Sequence, residues 1–183
     1  LCLLFLLLTP YYETQINDLG EHLVEHHNRF YRLEARKILA HLNDGQIDSA
    51  LKSFEKSEWA SVLYNDRAYL HKRRVLSLLC KKLEAMKDYE RLIQLASQWR
   101  QLHDRDIDAM AYWYEALRHS PDRKKEGLQG LIKGLDQFPS NALMTTFLFK
   151  AYLAVDDHEN VGKLLDRRIE IAAKNVLSGW KLY

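Results

Sequence analysis

Lys87-Asp88-Tyr89-Glu90-Arg91-Leu92 is a polar turn that passes at once into a helical pattern. Three other stretches do the same: Gly45-Gln46-Ile47-Asp48-Ser49-Ala50, Asp122-Arg123-Lys124-Lys125-Glu126-Gly127 and Asp156-Asp157-His158-Glu159-Asn160-Val161. Their last residues, Ala50, Leu92, Gly127 and Val161, follow one another at steps of 42, 35 and 34 residues. A period near 34 residues is the signature of stacked helix-turn-helix pairs. One such pair cannot bury its apolar face alone, whereas stacked pairs can. The longer first step implies an insertion around Ser57 to Asn65.

The flanking sequence has the matching periodicity. Leu76, Leu79, Leu83 and Met86 fall at helical spacing, as do Ala109, Tyr112, Trp113, Ala116 and Leu117, and Leu143, Phe147, Leu148, Ala151 and Tyr152. Phe138-Pro139-Ser140-Asn141 reads as a helix stop, a turn and an N-cap. Ser120-Pro121 reads as an N-cap with Pro at the first helical position. Paired helices are expected at 31–43 with 46–57, 66–85 with 88–102, 105–119 with 121–137, and 141–155 with 157–174, after a leading helix near 14–30. The tail keeps Val176, Leu177, Trp180, Leu182 and Tyr183, an apolar end that suits a continuing chain or a closing cap. The expected fold is all-α: an α-solenoid of about four stacked helix-turn-helix pairs over residues 13–183.

These segments resemble the tetratricopeptide repeat family, over about residues 31 to 173. The family's turn reads roughly Gly-Asp-Tyr-x-x-Ala, with a large apolar residue four positions on; Phe54, Ala96, Leu131 and Leu165 stand there. Pro139 stands where the family often closes a repeat, and the other repeats lack it. The family's usual small residue in the first helix is Ile38, Cys80, Glu115 and Phe149 here, so looser helix crossing is implied wherever it is large. The resemblance also implies a concave groove lined by the second, fifth, ninth and twelfth residues of each first helix. Those are Arg32, Ala35, Leu39 and Leu42; Arg74, Ser77, Lys81 and Glu84; Ala109, Tyr112, Ala116 and His119; and Leu143, Thr146, Lys150 and Leu153. Arg32, Arg74, Lys81, Tyr112, His119 and Lys150 are the implied partner-binding residues. Their mixture of basic and apolar groups suits a peptide of acidic character. Family members that clamp a terminal carboxylate use paired Asn and Lys. The adjacent sixth positions are Arg36, Leu78, Trp113 and Phe147 here, which excludes that subtype.

Composition bounds the rest. The 183 residues suffice for one domain with its own core. Apolar residues make up 47% and charged residues 28%, which is globular, while 7 Gly and 3 Pro are too few for a turn-rich fold. The net charge of +2 favours neither nucleic acid nor an anionic membrane, leaving only local patches. Cys2 and Cys80 make no disulfide framework. Leu1 to Leu8 are wholly apolar but too few to span a bilayer, and Thr9-Pro10 stops the run before Tyr11-Tyr12. Residues 1–12 are expected to be the end of a membrane anchor. A signal peptide is the second reading, although no small-x-small cleavage site follows. A short buried strand or helix start is the third.

Chemistry-bearing patterns are sparse. His22-Leu23-Val24-Glu25-His26 matches the inverted zincin pattern H-x-x-E-H, with two His four apart on one helical face and a Glu that could act as base. That family draws a third ligand from a distant Glu within a mixed α/β domain, so His22, Glu25 and His26 read better as a solvated helix face. No nucleophile elbow and no phosphate-cradling Gly-rich loop is present. Cys80 sits in an apolar helix that would raise its pKa. No cofactor is expected. Basic clusters occur at Arg36-Lys37, Lys72-Arg73-Arg74, Lys81-Lys82, Lys124-Lys125 and Arg167-Arg168; solvation of exposed helix faces is the first reading and an anionic partner the second.

The expectation is a non-catalytic interaction scaffold, membrane-anchored in the bacterial cell envelope with its helical domain facing the periplasm. A protein or peptide partner would lie in the groove. The alternatives are the accessory, substrate-holding region of a larger envelope enzyme and, more remotely, a zinc hydrolase.

Overall fold

The computed structural model describes residues 25–26, 29–57 and 67–180. Among them are eight helices and no strand. Helix α1 covers residues 29–43, α2 Ile47–Lys56, α3 Arg67–Ala85, α4 Tyr89–Leu102, α5 Ile107–Arg118, α6 Lys124–Gln137, α7 Ala142–Leu153 and α8 His158–Trp180. The membrane-anchor expectation for residues 1–12, the bulk of the leading helix, His22 and most of the insertion fall outside the described residues. No described helix is long and apolar enough to cross a membrane.

Three of the four turns close in one way. Gly45, Lys87 and Asp156 have φ of 74, 60 and 54°. The next amide reaches back five residues in each: Gln46 to the His41 carbonyl at 2.8 Å, Asp88 to Leu83 at 2.9 Å and Asp157 to Tyr152 at 3.0 Å. This is the Schellman closure, in which a left-handed residue satisfies the last carbonyls of a helix. The three left-handed residues lie at the same place in the sequence repeat. Only the first is Gly; Lys87 and Asp156 hold the left-handed conformation against a cost of about 1–2 kcal/mol.

Side-chain caps then start the following helices. Asp88 accepts from the Arg91 amide at 3.2 Å, Asp106 from Asp108 at 3.1 Å, Asn141 from Met144 at 2.8 Å and Asp157 from Asn160 at 3.1 Å. Each satisfies one otherwise orphaned amide. The third turn differs. Ser120-Pro121 does not begin α6: a turn bond from the Arg123 amide to the Ser120 carbonyl, 3.2 Å, delays the helix to Lys124.

The chain divides into two units, Leu1–Leu79 and Cys80–Tyr183, with the boundary inside α3. In the first unit the interior positions repeat at helical spacing: Tyr31, Ala35, Ile38 and Leu42 on α1, and Ile47, Ala50 and Phe54 on α2. In the second, α5 packs against α4 and α6, α7 against α6 and α5, and α8 against α7.

A glycine face lets α6 approach α5 closely in the second unit. Gly127, Gly130 and Gly134 are all buried on α6. A Cβ at Gly127 would overlap the Arg118 amide nitrogen and the Tyr114 carbonyl oxygen, and one at Gly130 would overlap the Tyr114 ring. The resemblance implied looser packing because Glu115 replaces a small residue. The correction is that α6 supplies the small residues, so α5 and α6 meet backbone to backbone. Leu165 also departs from expectation. It is 49% exposed, while its neighbour Leu164 is buried and takes the inward place on α8.

Candidate functional site

The residues expected to line a groove fall into two sets. In the first unit, Arg32 and Arg74 are both exposed. Burial, followed by the charges of Arg32 and then Arg74, holds the His71 imidazole below its ordinary value. The two guanidiniums therefore share one neighbourhood. Lys72 is not part of a solvated face as the basic cluster suggested. It is fully buried, and desolvation lowers its pKa to about 8.

In the second unit, Lys81 is exposed on α3. Lys150 on α7 donates from Nζ to Glu84 Oε1 on α3 at 2.8 Å, joining residues 66 apart in sequence. The Lys150 ammonium also lies 5.7 Å from the centre of the Phe147 ring. Tyr112, expected as an exposed anchor, is 4% exposed. Its ring meets Phe147 edge to face at 5.6 Å, so it belongs to the interior contact of α5 with α7. Its phase on α5 turns it against the next first helix rather than outward.

His119 is at the end of α5, beside a pair that the sequence did not reveal. Glu115 is 1% exposed and Arg118 11% exposed as side chains. Arg118 donates from Nε to Glu115 Oε2 at 2.8 Å and from Nη2 to Oε1 at 2.7 Å, a bidentate pair. His119 Nε2 lies 2.7 Å from Arg118 Nη2 and 3.3 Å from Glu115 Oε1. A neutral ring with its proton on Nδ1 accepts from Arg118 through Nε2. A protonated ring would turn a donor towards Glu115 and meet the guanidinium. The Tyr89 ring stacks on the imidazole at 3.8 Å and 3°. Burial, then the Arg118 charge, lower the His119 pKa, and Glu115 opposes them.

His71 and His119 both bind protons less readily folded than unfolded. Their contribution to stability is complete above the ordinary value of 6.5 and is lost as pH falls through the lower folded values. Imidazole titration by NMR is expected to give both midpoints below 6.5. Denaturation at about pH 5.5 should show a less stable fold than at about pH 7.5, with the difference reduced in His71→Gln, His119→Gln. Midpoints at or above 6.5 would contradict the placement of the guanidiniums.

The other basic clusters divide by partner. Arg167 donates to the Leu135 carbonyl at 2.8 Å and to Asp136 at 3.1 Å, and Arg168 to the Ser140 carbonyl at 3.2 Å. These arginines cover carbonyls at the end of α6, where positive charge is favoured. A shallow cleft of about 170 Å³ lies beside them, lined in part by Tyr152, Asn160, Lys163 and Arg167. Lys124 and Lys125 are exposed. Glu25 and His26 are exposed and helical, and among the described residues no group of three or more His, Cys, Asp or Glu is placed to share a metal ion.

Chemically, Glu115 is committed to Arg118 through both oxygens. The Cys80 thiol is fully buried, and burial pushes its pKa far above the range of a reactive thiolate. What the second unit offers outward is exposed Lys81 on α3 and Lys150 on α7, with His119 exposed at the end of α5, while Ala109, Tyr112, Ala116 and Phe147 are buried. No protein-family model, curated protein or solved structure matches this chain.

Proposed function

We propose that this chain is a non-catalytic interaction scaffold that holds a segment of another protein along α3, α5 and α7 of its second unit. The observation that carries this reading is the ion pair between Glu84 at the end of α3 and Lys150 in the last turn of α7, 2.8 Å between Oε1 and Nζ. α5 packs directly on α7. First helices of successive pairs sharing one face is the arrangement that gives tetratricopeptide-type repeats their groove, and the repeated turn geometry at Gly45, Lys87 and Asp156 supports the same kinship. Exposed Lys81 provides the charge that an acidic segment would meet, and such a segment would compete with Glu84 for Lys150. Membrane anchoring and a periplasmic setting rest on the sequence of residues 1–12 alone.

The test uses the 183-residue chain as immobilised bait, beside Lys81→Glu, Lys150→Glu. Both positions are exposed, so the double variant should keep its helicity. A partner bound by the wild-type chain is expected to bind the variant at least tenfold more weakly, about 1.4 kcal/mol. Equal binding to both would remove the groove assignment.

A further inference from the structure

We propose that Arg100, Trp113 and Arg123 form a second docking point, separate from the α3–α5–α7 face, which takes a carboxylate side chain of an acidic protein segment. The Arg100 guanidinium lies 3.9 Å from the centre of the Trp113 ring and 5.8 Å from that of Tyr114. Arg123 approaches the same indole at 5.4 Å. One indole thus gathers two guanidiniums, from α4 and from the turn before α6. Trp113 and Tyr114 are themselves in contact at 5.1 Å.

The two arginines are in different states. Arg123 donates from Nε and Nη2 to the two oxygens of Glu126, at 2.8 and 2.7 Å. Arg100 makes no ion pair among the described residues, although its charge reaches Glu126 and helps hold that carboxyl below its ordinary range. The indole covers one side of the half-buried Arg100, whose N–H groups make no hydrogen bond among the described residues. A guanidinium is a rigid fork matched to a carboxylate, and the aromatic flank at 3.9 Å restricts its motion in advance.

The occupant follows from charge and shape. Exposed Lys124 and Lys125 extend the positive surface beyond Arg123. Glu126 shows that a carboxylate fits a guanidinium here side by side. Its charge would also oppose a dianionic phosphate more than a monoanionic carboxylate. An indole and a phenol ring beside Arg100 give an apolar neighbour of the acidic residue something to rest on. Glu126 pairs with Arg123 and also feels the Arg100 charge, so the chain carries an internal competitor for the site.

The experiment titrates the full chain at low salt with a short poly-glutamate peptide, with poly-glutamine of equal length and inorganic phosphate as comparison probes. The Trp113 indole N–H signal, assigned with Trp113→Phe, is the readout. Poly-glutamate is expected to shift that signal and poly-glutamine to leave it unchanged. Arg100→Gln should weaken binding about tenfold, and Arg100→Lys should weaken it nearly as much because the planar fork is lost. Glu126→Gln should strengthen binding severalfold by releasing Arg123. Lys81→Glu, Lys150→Glu should have no effect, which separates this site from the proposed groove. The proposal is overturned if poly-glutamate fails to bind, if Arg100→Gln binds as the wild type does, if Glu126→Gln gives no gain, or if phosphate shifts the indole as tightly as the peptide.

Discussion

Gly127→Ala is expected to destabilise the second unit by about 3 kcal/mol or more, although it adds one methyl group to a helix. In an open helix the same change would stabilise, since alanine is favoured over glycine by roughly 1 kcal/mol. The sign is reversed by what the methyl group meets. Its nearest neighbours would be the Arg118 amide nitrogen and Cα and the Tyr114 carbonyl oxygen, all backbone atoms of α5. Backbone cannot rotate away as a side chain can, so α5 and α6 must separate and lose their shared packing. Gly134→Ala is the graded comparison: its Cβ would meet Met144 Sδ and Cε at 2.8 Å, the end of a flexible side chain, and should cost little. Gly162, with nothing within 4 Å, is the reference at which alanine should stabilise. Urea unfolding of the three variants gives the order directly. Equal effects at Gly127 and Gly162 would mean that α5 and α6 do not meet backbone to backbone.

The order and extent of the helices were legible because their signals are local. A turn, a capping Asp or Asn, and apolar residues at helical spacing all act within a few residues, and α3 to α5 and α7 begin and end within a few positions of expectation. Even so, Lys87 and Asp156 show that a left-handed turn residue need not be Gly. Ser120-Pro121 misled because a proline fits a turn as well as a first helical turn. What the sequence concealed is contact between elements. The Glu84–Lys150 pair and the Arg100–Trp113 stack join side chains that no periodicity links. Tyr112 shows the limit from the other side: its helical phase was right, but whether a phase faces a groove or a neighbouring helix depends on where that helix sits. The glycines at 127, 130 and 134 were a visible signal, one small face on one helix, and they account for packing that the resemblance had assigned elsewhere.

Glu115→Ala is expected to cost about 3–5 kcal/mol, the range for removing one partner of a buried ion pair. Glu115 occupies a position where the resemblance places a small residue, so a simple packing account would predict that alanine is accepted or even preferred. Electrostatics decides otherwise. Arg118 directs two donors at Glu115, and its side chain is only 11% exposed. Without the carboxylate, the guanidinium stays desolvated with only the weaker charge of Glu84 to oppose its own. The Arg118 Nη2 contact with His119 cannot replace the anion, because imidazole is neutral when it accepts. Arg118→Ala should be destabilising for the complementary reason. The double variant Glu115→Leu, Arg118→Met should recover most of the loss, since it removes both charges and keeps apolar volume in a buried place. Chemical denaturation of the two single variants and the double variant is the measurement. A single-variant cost below about 1 kcal/mol would describe a solvent-screened pair, and it would place Glu115 at the surface rather than in the core between α5 and its neighbours.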